Sequence, residues 1–124
     1  MAKRIILTFD DACLSHREYV APLLREYGFT ATFYISEYPG SFEDKTQYMT
    51  WEQIKELQDM GFEVANHSLT HKIVTEISEK EMEAEVADLE ERFKQYGLSP
   101  ATTYAYPVYA YDDAAIKVLA ARGY

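Results

Sequence analysis

The sequence predicts an α/β fold with about four parallel strands and flanking helices, and three observations carry that prediction. Short β-branched or aromatic runs alternate with longer stretches of helical spacing, the pattern of strand–helix–strand units with parallel strands and right-handed crossovers. A glycine followed by an apolar residue recurs four times, at Gly28-Phe29, Gly61-Phe62, Gly97-Leu98 and Gly123-Tyr124. The residues with chemical potential fall at the ends of the runs read as strands, where ligands gather in such folds.

The first strand is read over Lys3 to Phe9, a short and nearly continuous apolar run expected to be buried on both faces. A helix from about Ser15 to Tyr27 follows, with Val20, Leu23, Leu24 and Tyr27 as its stripe and Pro22 in an early turn. Gly28 suits its left-handed cap. Thr30 to Ser36 reads as the second strand. The polar stretch Glu37 to Met49, with its Pro39-Gly40 turn signal, reads as a long loop. Thr50-Trp51-Glu52-Gln53 fits a capping box that opens a helix to about Met60. Phe62 to Asn66 is the third strand. Ser78-Glu79-Lys80-Glu81 is a second capping box, opening the longest helix, to about Tyr96. Met82, Val86, Leu89 and Phe93 are its apolar stripe, and the acids and bases between them read as a solvated face. Ala101 to Pro107 reads as the fourth strand, and Asp112 caps a last helix, Asp113 to Arg122.

The chain has 124 residues, which suits one domain over 1–124. A closed (β/α) barrel takes about 250 residues, so the prediction is a partial (β/α) barrel cut short, with open sheet edges. Further polypeptide beyond Tyr124 would cover the open edge, and so would a homo-oligomer. A hydrophobic share of 48% is enough for a core. The net charge of −9 opposes nucleic acid and anionic membrane surfaces as partners, but not a neutral or cationic small substrate. Cys13 is alone and cannot form an intrachain disulfide. The apolar run after Met1-Ala2-Lys3-Arg4 ends at Leu7, too short for a signal peptide. Taken as it stands the chain is expected in the cytoplasm; a leader removed upstream would make it secreted or a cell-envelope protein.

The chemistry centres on Asp10-Asp11, at the end of the first apolar run, and on His67 and His71, four apart after the third strand. Carboxylate and imidazole donors converging from two strand ends can hold one divalent metal ion. Three protein ligands leave a position for water. A second carboxylate beside the ion can take that water's proton. Histidines at i and i+4 can face one point from a helical turn. Each motif also has a plainer reading: Asp-Asp often begins a loop or caps a helix, and a histidine pair can simply make hydrogen bonds.

Thr8-Phe9-Asp10-Asp11 and His67-Ser68-Leu69-Thr70-His71 resemble, in order and separation, the first two motifs of the polysaccharide deacetylases, the NodB-homology or carbohydrate esterase family 4 enzymes. The resemblance covers essentially the whole chain. It implies a distorted, NodB-like (β/α) barrel that removes acetyl groups from an acetylated carbohydrate, from N-acetylglucosamine polymers or acetylated xylan, with zinc or a similar divalent ion. It further implies that Asp11, His67 and His71 hold the metal and that Asp10 is the catalytic base. In the stretch corresponding to the third motif, Tyr104-Ala105-Tyr106-Pro107-Val108-Tyr109, it implies substrate binding by Tyr106, Pro107 and Tyr109.

The sequence departs from the family pattern at Ala12, where glycine is frequent, and at Ala105, where an arginine would orient the base. The later motifs, including a histidine general acid, do not follow. His16, the remaining histidine, reads as an exposed residue at a helix start. The alternative these departures raise is a non-catalytic metal- or carbohydrate-binding half-domain. Tyr104 and Trp51 read as packing residues, and Cys13 as a small buried hydrophobe.

Overall fold

The computed structural model describes residues 2–37 and 44–124; the Pro39-Gly40 turn lies outside the described residues. Strands β1 (Thr8–Asp10), β2 (Thr32–Ile35) and β3 (Glu63–Asn66) alternate with helices α1 (Ala21–Glu26), α2 (Trp51–Asp59), α3 (Glu79–Gln95) and α4 (Asp113–Ala121). All four helices stop in the same way. After α1, the Phe29 N–H donates to the Leu24 carbonyl and the Gly28 N–H to that of Arg25. Phe62 and Gly61, Leu98 and Gly97, and Tyr124 and Gly123 repeat the pair of bonds onto their own helices. This closure needs one left-handed residue, at φ 71° for Gly28 and 96° for Gly61, a region glycine enters without a Cβ clash. It folds the next apolar residue back over the last turn. The starts follow local rules as well. Both capping boxes are complete, Thr50 with Gln53 and Ser78 with Glu81, and Asp112 accepts from the Ala115 N–H.

The sheet is parallel, in the order β1-β2-β3, with Thr8 opposite Thr32 and Ile35 opposite Asn66. The expected fourth strand is reduced to one parallel bridge between Asn66 and Tyr104. Asn66 N–H donates to Thr103 O and Ala105 N–H to Asn66 O; two residues later Pro107 has no N–H with which to continue the ladder. The first strand is also shorter than expected and is not buried on both faces. Ile5 and Ile6 are each 85% exposed, because β1 pairs only with β2 among the described residues.

The first helical segment is divided. A wide π-helical turn, His16–Val20, precedes α1. Pro22 has no N–H to give the Glu18 carbonyl, so the ladder adapts on the N-terminal side of the proline. The face that turns inward carries Ala21, Val20 and Leu24, whereas Leu23 and Tyr27 are exposed.

Two apolar clusters form among the described residues. The larger joins Phe33 and Ile35 of β2 to Ile54 and Leu57 of α2, Phe62, Val64, and Leu89 and Phe93 of α3. The smaller joins Val74, Met82 and Val86 to Ala115 and Leu119 of α4, with Tyr104, Tyr106 and Tyr124 packed against it. The stripe of α3 therefore serves both: its first half faces α4 and its second half faces the sheet. Trp51 packs at the edge of the larger cluster, as expected, stacked on Tyr96. No described helix is long and apolar enough to cross a membrane.

Candidate metal centre

Strand β1 delivers two carboxylates, and the backbone then leaves the sheet. Asp11 and Ala12 have φ of 79° and 52°, so the alternation of a strand stops at Asp10 and the two acids need not point to opposite faces. The turn is anchored by Asp11 N–H to Tyr34 O at 3.1 Å and by Met49 N–H to Ala12 O at 2.9 Å.

Strand β3 delivers the histidines through a turn that is not helical, contrary to the expectation from their i, i+4 spacing. Ser68 and His71 are left-handed, at φ 67° and 57°. Such residues cost about 1–3 kcal/mol each and persist where neighbours over-determine them. Here the neighbours are visible. His67 N–H donates to Ile35 O at 3.0 Å, and the buried Ser36 hydroxyl donates to the His67 carbonyl at 2.8 Å. Asn66, fully buried, accepts the Ser68 N–H on its side-chain oxygen at 2.9 Å and donates to the Tyr124 hydroxyl at 2.8 Å. The Tyr124 hydroxyl in turn donates to Glu90 of α3, which also pairs with Arg122. Glu85, again on α3, accepts from the Ser68 hydroxyl and from both the N–H and the hydroxyl of Thr70. The face of α3 expected to be only solvated thus supplies two carboxylates to the support of the histidine loop. Charge alternation carries no signal for this; only a carboxylate facing a loop with unpaired donors would.

The two loops meet. His67 Nε2 lies 3.3 Å and His71 Nε2 3.4 Å from the same oxygen of Asp11, and the three donor atoms all lie within 4.8 Å of one another. Tetrahedral ligands at about 2.1 Å from a zinc-like ion stand about 3.4 Å apart, so the spacing fits one ion. It is long for a direct N–H···O bond. His67 Nδ1 is 2.8 Å from the Ala105 carbonyl; a carbonyl only accepts, so that nitrogen carries the proton and the neutral ring turns the Nε2 lone pair toward Asp11.

Protonation of the pair is divided between its members. Burial opposes charging His67, but the Asp11 carboxylate, the Ala105 carbonyl and the charge of Asp10 together outweigh it and raise its pKa. Burial and then the charge of His67 push His71 down, against the pull of Asp11. The site therefore favours one positive charge beside Asp11 rather than two.

The other expected residues are placed as follows. Asp10 is half-buried at the end of β1, and its charge acts on both imidazoles. The Ala105 side chain is a single methyl, yet its backbone orients His67. Tyr106 is half-buried against Tyr104 and Tyr111, Pro107 is buried, and Tyr109 is 91% exposed at φ 60°. Tyr104 packs, as expected, and burial drives its hydroxyl pKa well up. Cys13 is only half-buried, bridging Tyr48 across the turn; burial, then the charge of Asp11, raises its thiol pKa. His16 is a correction: it is buried, not exposed, with its ring 5.5 Å from Phe9 and 5.6 Å from Phe33. The π-helical turn swings it inward, which helical periodicity does not reveal.

This fold and donor set define a class, and comparison with known proteins agrees. The polysaccharide deacetylase family model matches residues 1–124, and the chain belongs to that family. Among relatives, it is 26% identical over 122 residues to YxkH of Bacillus subtilis, named for the polysaccharide deacetylases, covering 98% of this chain and 43% of that protein. It is 28% identical over 123 residues to the peptidoglycan-N-acetylglucosamine deacetylase of Bacillus cereus, covering 98% and 54%. The chain thus spans about half the length of the curated relatives it matches. Among solved structures, the Streptococcus pyogenes deacetylase PplD in complex with acetate superposes with a TM-score of 0.87 at 24% identity, covering 100% of this chain and 54% of that one. That likeness concerns the fold: the parallel strands and helices of this chain superpose on part of a NodB-like deacetylase, a group of proteins that have a (β/α) barrel.

Proposed function

We propose that this chain carries the metal-binding part of a hydrolase that removes acetyl groups from an N- or O-acetylated polysaccharide. One observation carries the reading: the spacing of Asp11, His67 and His71 around a common point, 3.3 and 3.4 Å along two of its edges. Two imidazoles and a carboxylate suit zinc. A divalent cation held there acidifies water and polarises the acetyl carbonyl. Asp10, adjacent in sequence but outside the donor triad, accepts the proton of the attacking water. The bond from the acetyl carbon to the sugar nitrogen or oxygen then breaks as the proton passes to that departing atom, and acetate is released. The Ala105 carbonyl keeps His67 in the ligating tautomer throughout. Tyr109 offers an exposed ring for a sugar face, while Pro107, being buried, shapes the turn that presents it.

The test separates holding from chemistry. Asp11→Ala and His71→Ala should abolish uptake of zinc, read by elemental analysis of the purified chain. Asp10→Asn should keep the metal and lower acetate release from acetylated chito-oligosaccharides by about 10²–10⁴-fold. Full activity in Asp10→Asn would sink the role given to Asp10. Ala105 favours a second reading, a binding module without turnover, since no arginine stands there to orient the base. Tight binding of metal and oligosaccharide with no acetate released would select it.

A further inference from the structure

The backbone on both sides of His71 is held from α3. Glu85 Oε2 accepts the Thr70 N–H at 2.7 Å and the Ser68 hydroxyl at 2.6 Å, while its Oε1 accepts the Thr70 hydroxyl at 2.8 Å. The Ser68 oxygen, having donated to Glu85, accepts the Lys72 N–H at 3.2 Å. The peptide N–H before His71 and the one after it are thus fixed, the first directly and the second through one hydroxyl. Between them His71 keeps a φ of 57°, a conformation a non-glycine residue leaves when nothing holds it. His67 is placed by other means, through β2 and the Ala105 carbonyl.

We propose that Glu85 is the positioning residue for His71: without touching the donor triad, it sets where that imidazole stands. The proposal rests on the reading of the triad as a metal centre. The chemistry of the position suits a carboxylate. Three donors converge on it, and an ionised carboxylate only accepts, at both oxygens. A glutamine keeps the contacts only with its NH₂ turned to the Thr70 hydroxyl, which then accepts instead of donating, and without the charge that strengthens the bonds. The carboxylate also stands on a helix packed into both apolar clusters, the rigid mounting a ligand-orienting group needs. The donors it serves belong to residues on either side of the ligand rather than to the ligand's own ring.

The experiment compares zinc affinity, measured against a competing chelator, in the wild-type chain, Glu85→Gln, Glu85→Ala and Ser78→Ala. The last removes the N-cap of the same helix and lowers its stability without reaching the loop. Hydrogen exchange of the Thr70 and Lys72 amides is followed in the metal-free proteins. Glu85→Ala should bind zinc about 10–100-fold more weakly and exchange faster at those two amides, with Glu85→Gln, whose amide oxygen can still accept the Thr70 N–H, between it and the wild type. Ser78→Ala should melt earlier yet keep its zinc affinity and its loop protection. Wild-type affinity in Glu85→Ala with unchanged exchange would overturn the proposal, as would an equal loss of affinity in Ser78→Ala. No zinc uptake by the wild-type chain would overturn the metal centre itself, a result distinct from uptake that is indifferent to Glu85.

Discussion

The two loops that build the centre are held in opposite ways. The aspartate loop is anchored through its backbone, by bonds that include Asp11 N–H to Tyr34 O and Met49 N–H to Ala12 O, and the side chain of Asp11 is 45% exposed. The histidine loop is tied by Ser36, Asn66, Glu85 and the Ala105 carbonyl, and His67 and Ser68 are almost wholly buried. The difference suits what each donor would do at the proposed metal centre. A carboxylate presents two equivalent oxygens with broad acceptance, so modest freedom costs it little. An imidazole presents one lone pair along one direction, and the tautomer must be chosen as well. Directional ligands need directional support.

Substitutions can break or sharpen that contrast. The largest effect on the metal-free chain is expected at Asn66. Asn66→Ala leaves the buried Ser68 N–H without its partner, at about 1–3 kcal/mol, and removes the amide that donates to the Tyr124 hydroxyl, which keeps its own bond to Glu90. Asp11→Ala, in the exposed loop, should cost about 1 kcal/mol or less. Urea denaturation of both variants checks the ratio; equal losses would erase the distinction between the loops. Ser36→Ala comes next. It withdraws one buried donor from the His67 carbonyl and should cost about 1 kcal/mol.

A smaller, pH-dependent effect is expected beneath the aspartate loop, at His16. Burial holds this imidazole below its ordinary pKa of 6.5. The unfolded chain therefore binds a proton that the folded chain resists. Stability is fully present above about pH 6.5 and declines as pH falls through the depressed folded value. His16→Phe, with a ring of similar shape between Phe9 and Phe33, should flatten the melting temperature on the acid side; an unchanged slope would show that His16 does not titrate on unfolding. Smallest is Ala12→Gly. Relief of a left-handed alanine, about 1–2 kcal/mol, is offset by about 0.8 kcal/mol for the buried methyl lost. The melting temperature should rise slightly or stay level, with no change in zinc affinity.

Much of this was legible in the residues themselves. The four glycine-apolar closures, both capping boxes and the Asp112 cap are set within five residues of chain, and each stands where the pattern puts it. That Asp11, His67 and His71 come together was foreshadowed by their places at strand ends, which converge in parallel α/β folds. The lengths of the first and fourth strands were not legible, since a strand exists only against a neighbour and both lie at the sheet's margins. The inward swing of His16 and the recruitment of Glu85 and Glu90 were equally hidden. A glutamate on a charged helix face reads the same whether it meets water or a loop.

The sequence by itself determined where helices start and stop, which residues could donate to a cation, and the order in which they arrive, because those properties depend on bonds and sterics among near neighbours. Only the tertiary structure decided how the donors are aimed. Thr70 and Glu85 are 15 residues apart and Asn66 and Tyr124 are 58 apart, and contacts at such separation exist only once packing has brought the segments together.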